Sequence, residues 1–203
     1  MSTIVEKTLI LASSSPRRQE LIRSLNLPYR IVASDADETV EPGWKPPQIV
    51  EELSGRKART VYECCKVDRT QGEQGVVIGS DTIVVLDDQV LGKPKDEADS
   101  KRMLQALQGR RHQVFSGVVC IDLATGETVS GHRMTEVHMK PLTERQIAAY
   151  IQTGEPKDKA GSYAIQGLGA TIVERIEGDY FNVVGLPMSL LSDSLARLGV
   201  AVF

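Results

Sequence analysis

The 203-residue sequence predicts a mixed α/β fold, a twisted sheet of parallel and antiparallel strands flanked by helices, on three observations. Short apolar runs alternate with segments of helical periodicity. Several neighbouring runs are joined by hairpin-type turns, at Asp87-Asp88, Ala124-Thr125-Gly126 and Glu177-Gly178-Asp179, which an all-parallel doubly wound sheet would not use. The 41% hydrophobic content is ordinary for a globular protein and supplies a core without staples.

Taken in order, residues 9–12 read as a short buried strand. Ser15 is the expected N-cap and Pro16 the first residue of a helix with Leu21, Ile22 and Leu25 on one face. Residues 29–32 form a second strand, and residues 35–47 a polar loop carrying Asp37-Glu38-Thr39 and the only tryptophan, Trp44. Pro46 and Pro47 open a helix toward Cys65, with Ile49, Val50, Leu53 and Val61 on its apolar stripe. Residues 71–75 are a turn-rich break. The run 76–86 is a long buried strand that turns at Asp87-Asp88 into Val90-Leu91. Asp96 caps a helix ending near Gly109. Strands over 113–122 and 128–139 flank the next turn. Thr143 and Gln146 form a capping box for a helix that Gly154 stops. Residues 155–169 are Gly-rich and aperiodic, the profile of a functional loop. Residues 171–176 and 180–184 read as a strand hairpin, and residues 187–198 as a last helix presenting Leu190, Leu191, Leu195 and Leu198.

Charge and cysteine usage exclude several classes. A net charge of −3 offers no polyanion-binding surface, so nucleic acid is not an expected partner, while a small anion needs only a few placed cations. Cys64, Cys65 and Cys120 are odd in number and lack C-x-x-C spacing, which points to reduced thiols rather than a disulfide or zinc framework. The apolar run 8–12 is too short for a signal-peptide core or a membrane span. A cytoplasmic location without a membrane partner is the expectation.

Five segments carry candidate chemistry. Ser13-Ser14-Ser15-Pro16-Arg17-Arg18 joins a strand end to a helix N-terminus, where backbone N–H groups and two arginines suit a phosphate. Its alternative is a plain cap with two solvated arginines. Asp81, in Gly79-Ser80-Asp81-Thr82, lies inside an apolar run, where a carboxylate needs a metal, an ion pair or a role as base. Lys57 falls on the inner stripe of its helix and either snorkels or reaches a phosphate, and Lys93 in Gly92-Lys93-Pro94 is a second lysine in a rigid setting. Glu38 belongs to an acidic loop that suits Mg²⁺ or is simply solvated. In residues 159–169, three glycines permit close backbone approach to a flat ligand and Gln166 offers a donor and an acceptor to a base edge; the alternative is a flexible loop. The segment matches neither G-x-G-x-x-G nor a Walker A loop. Together the five make a kit for metal-assisted attack of water on a phosphoanhydride.

The stretch from Leu9 to Arg18 resembles the opening signature of the Maf family. Asp37-Glu38-Thr39, Arg56-Lys57-Ala58, Gly79-Ser80-Asp81-Thr82, Gly92-Lys93-Pro94, Lys159-Ala160-Gly161-Ser162-Tyr163 and Gly185-Leu186-Pro187 follow in family order and span nearly the whole chain. The resemblance implies one domain over residues 1–203, with two lobes around a cleft as in inosine triphosphate pyrophosphatases. It implies a hydrolase acting on acid anhydrides, a nucleoside triphosphate pyrophosphatase that cuts between the α- and β-phosphates with Mg²⁺ or Mn²⁺ and cleans nucleotide pools. Within the family, Thr82 and Ile165-Gln166-Gly167 resemble the dTTP/UTP pyrophosphatase branch rather than the 7-methyl-GTP branch. Carried over, Asp81 is the proton acceptor; Arg17, Thr82 and Gln166 are specificity positions; Ser13, Arg18, Lys57 and Lys93 bind phosphate; Glu38 and Asp81 hold metal. Ser162 departs from the alanine common in that branch. The alternatives are a nucleotide-binding regulator of septum formation and cell division, or a pyrophosphatase for modified nucleotides. A homodimer is expected on general frequency alone.

Overall fold

The computed structural model describes residues 7–67 and 74–203. The break expected at 71–75 therefore falls mostly outside the described residues, as does most of the N-terminal segment. Seven strands form one sheet in the order β2-β1-β3-β5-β6-β7, with β4 paired to β3. The strands are β1 (Thr8–Leu11), β2 (Tyr29–Ile31), β3 (Gly75–Leu86), β4 (Gln89–Leu91), β5 (Arg111–Asp122), β6 (Thr128–Met139) and β7 (Val173–Glu177). The helices are α1 (Pro16–Arg23), α2 (Pro46–Val67), α3 (Glu97–Leu107), α4 (Glu144–Gln152), α5 (Tyr180–Val184) and α6 (Met188–Arg197). The sheet is mixed, as expected: β1 runs parallel to β2 and β3, while β3–β4 and β6–β7 are antiparallel.

The chain divides into two compact units. The first comprises Met1–Asp81, Ser116–His132 and Gly185–Phe203; the second comprises Thr82–Phe115 and Arg133–Val184. In the first, the period-2 geometry of strands sorts side chains to two faces. Leu9 and Leu11, Val76 and Ile78, and Val118 and Cys120 pack with Ile22 of α1 and with Leu191 and Leu195 of α6. The intervening residues Ile10, Val77, Val119 and Ile121 pack with Ala58, Val61 and Cys65 of α2. Complete burial of one such aliphatic side chain stabilises by roughly 1.5–3 kcal/mol.

The approach of α2 to the sheet depends on two glycines. A Cβ on Gly79 would collide with the Ser54 carbonyl oxygen, and a Cβ on Gly117 with that of Val50. Side chains at these points would push the helix outward. Ser54 and Val50 are one turn apart, so a whole turn of α2 lies flat on β3 and β5. The second unit has its own core, formed by Val84 and Leu86 of β3, Leu104 and Leu107 of α3, and Ile147, Tyr150 and Ile151 of α4.

Local signals explain most element ends. Asp87 and Asp88 have φ of 49° and 62°, the left-handed pair that a tight hairpin needs. Asp96 accepts the Asp99 N–H at the start of α3, and Thr143 with Gln146 closes the capping box of α4. One expectation holds with a refinement and one is corrected. Ser15 occupies the N-cap of α1 but its side chain makes no cap bond; instead the Ser13 hydroxyl accepts the Ser15 N–H at 3.2 Å, curling the turn ahead of the helix. Tyr180–Val184 is the helix α5 and not the second arm of a hairpin. Asp179 accepts the Phe181 N–H at 2.8 Å, which starts a helical turn. Asn182 is then fully buried, donating to the Val114 carbonyl at 3.0 Å and to the Thr135 hydroxyl at 2.9 Å. That polar anchorage outweighs the β-propensity of the surrounding residues.

Among the described residues, no helix is long and apolar enough to cross a membrane. The three cysteines are free thiols, with Cys65 and Cys120 buried.

Candidate functional site

In the first unit the site is assembled where β1 ends beside β3. Ala12 N–H donates to the Ile78 carbonyl at 2.8 Å, which sets the Ser13 turn alongside Gly79-Ser80-Asp81. Two residues beyond the glycine that admits α2 comes Asp81, and next to Ala58, whose backbone that glycine meets, comes Lys57. The close packing thus brings the two charges together. Lys57 Nζ stands 2.5 Å from Asp81 Oδ1 and 2.7 Å from Glu38 Oε1. The Asp81 and Lys57 side chains retain 13% and 12% of their exposure, while Glu38 retains 53%. The pair is open to solvent from the Glu38 side.

The serine–arginine turn completes this group. Arg18 donates from Nε to the Gly185 carbonyl at 2.7 Å. Burial holds its guanidinium below the ordinary arginine value and repulsion from Arg17 adds to this, while Asp81 and Glu38 oppose it. An arginine stays charged through such a shift. The Ser80 hydroxyl lies 2.8 Å from the Gly117 carbonyl and 3.0 Å from that of Gly185. Gly185, flagged in the sequence only as part of a motif, therefore fixes both an arginine and the strand next to Asp81. Ser13 is buried, and Arg17 is half-buried with no hydrogen bond or ion pair among the described residues. Arg17, Arg18 and Lys57 outnumber the two carboxylates, so the cluster has charge to spare for an anion.

One residue with a site role escaped the sequence reading. Arg56 donates from Nη1 to the carbonyls of Thr39 at 2.7 Å and Asp37 at 3.3 Å, on either side of Glu38. Its guanidinium also stacks 5.4 Å from the Trp44 ring. Within the loop, Asp37 accepts both the N–H and the hydroxyl of Thr39, and these bonds hold its carboxyl below the usual range. The usable signal was the i, i+1 pairing of Arg56 with Lys57: one faces the sheet, and its neighbour is left to clasp whatever crosses the helix.

The donor set fits a divalent cation. Two carboxylates already converge on one cationic nitrogen, and the half-exposed Glu38 leaves room for water or phosphate oxygens, as Mg²⁺ prefers. A second group, Glu136, His138 and Glu177 in the other unit, also has donor atoms within 4.8 Å of one another. It reads as an ion-pair ladder. Arg175 pairs with Glu177 and reaches His138 Nδ1 at 3.3 Å, and His138 Nε2 faces Glu136 at 3.1 Å.

The remaining candidates lie in the second unit. Thr82 follows Asp81 on β3 and is half-buried, and Lys93 is exposed just after β4 with no hydrogen bond or ion pair among the described residues. Gln166 is half-buried with an extended backbone, φ −98° and ψ 170°, at the head of a 3₁₀ turn over Gly167–Thr171. Its side chain makes no hydrogen bond among the described residues. The loop expected over 155–169 is built from three short 3₁₀ turns rather than being irregular. Ser162 holds a left-handed φ of 63°, and its buried hydroxyl is satisfied by Ser100.

Residues 8–198 match the family described as Maf-like protein. The chain is 49% identical over 196 residues to the dTTP/UTP pyrophosphatase of Desulforamulus reducens, covering 97% of this chain and 99% of that one. It is 46% identical to the protein of the same name from Acetivibrio thermocellus, over 96% of both chains. The solved structure of the Staphylococcus aureus Ham1 protein is similar at 16% identity and a TM-score of 0.44, over 66% of this chain and 72% of that one. From the family match and these relatives, which it parallels from end to end, the chain belongs to the Maf-like protein family.

Proposed function

We propose that this protein hydrolyses nucleoside triphosphates, dTTP and UTP foremost, to the monophosphate and pyrophosphate. One observation carries the reading: two carboxylates share the Lys57 ammonium beside the Ser13–Arg18 turn, which is buried at Ser13 and open at Ser14 and Pro16. That arrangement pairs a base with cations suited to a polyphosphate. The names of the relatives support the substrate class, and the resemblance of Thr82 and Gln166 to specificity positions of that branch supports the pyrimidine preference.

In this mechanism, Asp81 accepts the proton of the water that attacks the α-phosphorus. Arg18 and Lys57 stabilise charge on the equatorial oxygens, and Lys93 that on the leaving pyrophosphate. Ser13 and the backbone of its turn bind phosphate oxygens. Held by Glu38 and Asp81, Mg²⁺ or Mn²⁺ would supply charge neutralisation on the phosphates. Asp81 must be released by Lys57 to work as a base, and the ammonium moves to the phosphate that enters. Gln166 and Thr82 bond the base edge, and Arg17 selects at the base or sugar. A site with polar groups so committed rejects bases that leave them unpaired.

The test is pyrophosphate release by the purified protein from UTP, dTTP, CTP, GTP and 7-methyl-GTP, with Mg²⁺ or Mn²⁺. Monophosphate and pyrophosphate from UTP and dTTP, abolished by chelator, are expected. Tight nucleotide binding without pyrophosphate would replace the enzyme with a binding regulator.

A further inference from the structure

We propose that Glu155 is the positioning residue for the segment that presents Gln166, acting through the backbone and through Tyr150. The inference rests on the base-selecting reading of Gln166. Glu155 Oε1 accepts the Tyr150 hydroxyl at 2.7 Å and the Gly169 N–H at 2.9 Å, and Oε2 accepts the Leu168 N–H at 3.0 Å. The Tyr150 oxygen in turn accepts the Ala164 N–H at 3.2 Å. A carboxylate and a phenol thereby tie down the backbone on both sides of Gln166.

The glycines of the segment serve this anchor. A Cβ on Gly167 would stand 2.5 Å from Glu155 Oε2, and one on Gly169 would stand 2.1 Å from the Ala164 carbonyl oxygen and 2.6 Å from the Tyr150 oxygen. Gly167 also takes φ of 64°. Within the chain, the close approach that Gly167 and Gly169 permit is to Glu155, to Tyr150 and to the Ala164 carbonyl. The anchor itself is fixed. Gly154, at φ 75°, ends α4 and sends the chain back across it, and Lys159 Nζ donates to the Glu155 carbonyl at 2.9 Å. Burial raises the Glu155 carboxyl, but Tyr150 and the Gly169 and Leu168 N–H groups outweigh it and hold the group below the usual range. It is a carboxylate at neutral pH, and its bonds to N–H groups are the strong, charge-assisted kind.

Selection by a glutamine amide requires that the amide be preset in one place, since ordering it on binding would consume affinity. Glu155 and Tyr150 preset the backbone of Gln166 without needing to meet the nucleotide. Removing the carboxylate leaves two N–H donors seeking water and loosens the segment, so nucleotide affinity and base discrimination fall together.

The experiment compares Glu155→Ala, Tyr150→Phe, Gln166→Ala and the Glu155→Ala/Gln166→Ala double variant for kcat and KM with UTP, dTTP, CTP and GTP. Glu155→Ala is expected to raise KM for UTP about tenfold, with a smaller change in kcat, and to erode the preference for UTP over CTP. Tyr150→Phe keeps the core packing and shifts both in the same direction by less. The double variant should discriminate no worse than Gln166→Ala alone, because both changes remove one function. If Glu155→Ala and Tyr150→Phe keep the preference while Gln166→Ala loses it, the positioning role is overturned. If Gln166→Ala itself keeps the preference, the base-selecting role fails, and the inference with it. Should Glu155→Ala not fold, Tyr150→Phe decides alone.

Discussion

The Lys57 ammonium lies 2.5 Å from the Asp81 carboxylate and at the same time 2.7 Å from that of Glu38. On the proposed reading the ammonium and a divalent cation would compete for these two carboxylates. The two carboxylates come from a strand interior and from an exposed loop, and only the flat seating of α2 on Gly79 brings the lysine between them. Replacing Lys57 by Met should leave a mostly buried carboxylate without its cation and lower stability by about 1–3 kcal/mol in metal-free buffer. Added Mn²⁺ should then raise the melting temperature of Lys57→Met more than that of the wild type, which must first displace its own ammonium. Thermal unfolding with and without Mn²⁺ checks both, and equal metal-induced shifts would contradict the competition.

Arg56 carries a second expectation. It holds the carbonyls of Asp37 and Thr39 and stacks on Trp44, a combination that needs a planar, forked cation. Arg56→Lys preserves the charge but not the fork, and should reduce turnover about tenfold while raising the metal concentration needed for half-maximal rate. Its melting temperature should stay close to wild type, because lysine keeps the charge and the bonds lost tie down an exposed loop rather than the core. Metal titrations of the rate separate this from a general loss of fold.

A third concerns acid. Burial, aided by His138, pushes the His112 ring down from 6.5 to about 4. Its Nε2 lies 2.7 Å from the Tyr163 hydroxyl and its Nδ1 has no partner among the described residues. Between those two pH values the unfolded chain binds the proton and the folded chain does not. Stability from this group is therefore complete above pH ~6.5 and is lost as pH falls toward ~4, by about 3 kcal/mol over the span. Urea unfolding of wild type and His112→Phe at a series of pH values should show a shallower slope for the variant in that window. Parallel slopes would mean that the ring takes up its proton inside the fold.

The sequence was informative where local chemistry and global packing agree. The stripe of α2 placed Lys57 inward, the apolar flanks of Asp81 demanded a partner, and the caps at Asp96 and Thr143 mark helix starts because their bonds are local. It was uninformative where distant residues decide. Tyr180–Val184 has strand composition, but Asn182 is held by Val114 and Thr135, which lie far away in the chain. The roles of Arg56 and Glu155 were hidden for the same reason, since both act on backbone atoms of other segments, and backbone groups carry no residue signature.

The central claim is that Asp81 is the base, and Asp81→Asn tests it most directly because the amide keeps the shape but cannot take the proton. Measured as pyrophosphate release from UTP at saturating metal, turnover should fall by roughly 10²–10⁴-fold, with nucleotide affinity largely retained. Turnover within a fewfold of wild type, in a variant that still folds and binds UTP, would contradict the account.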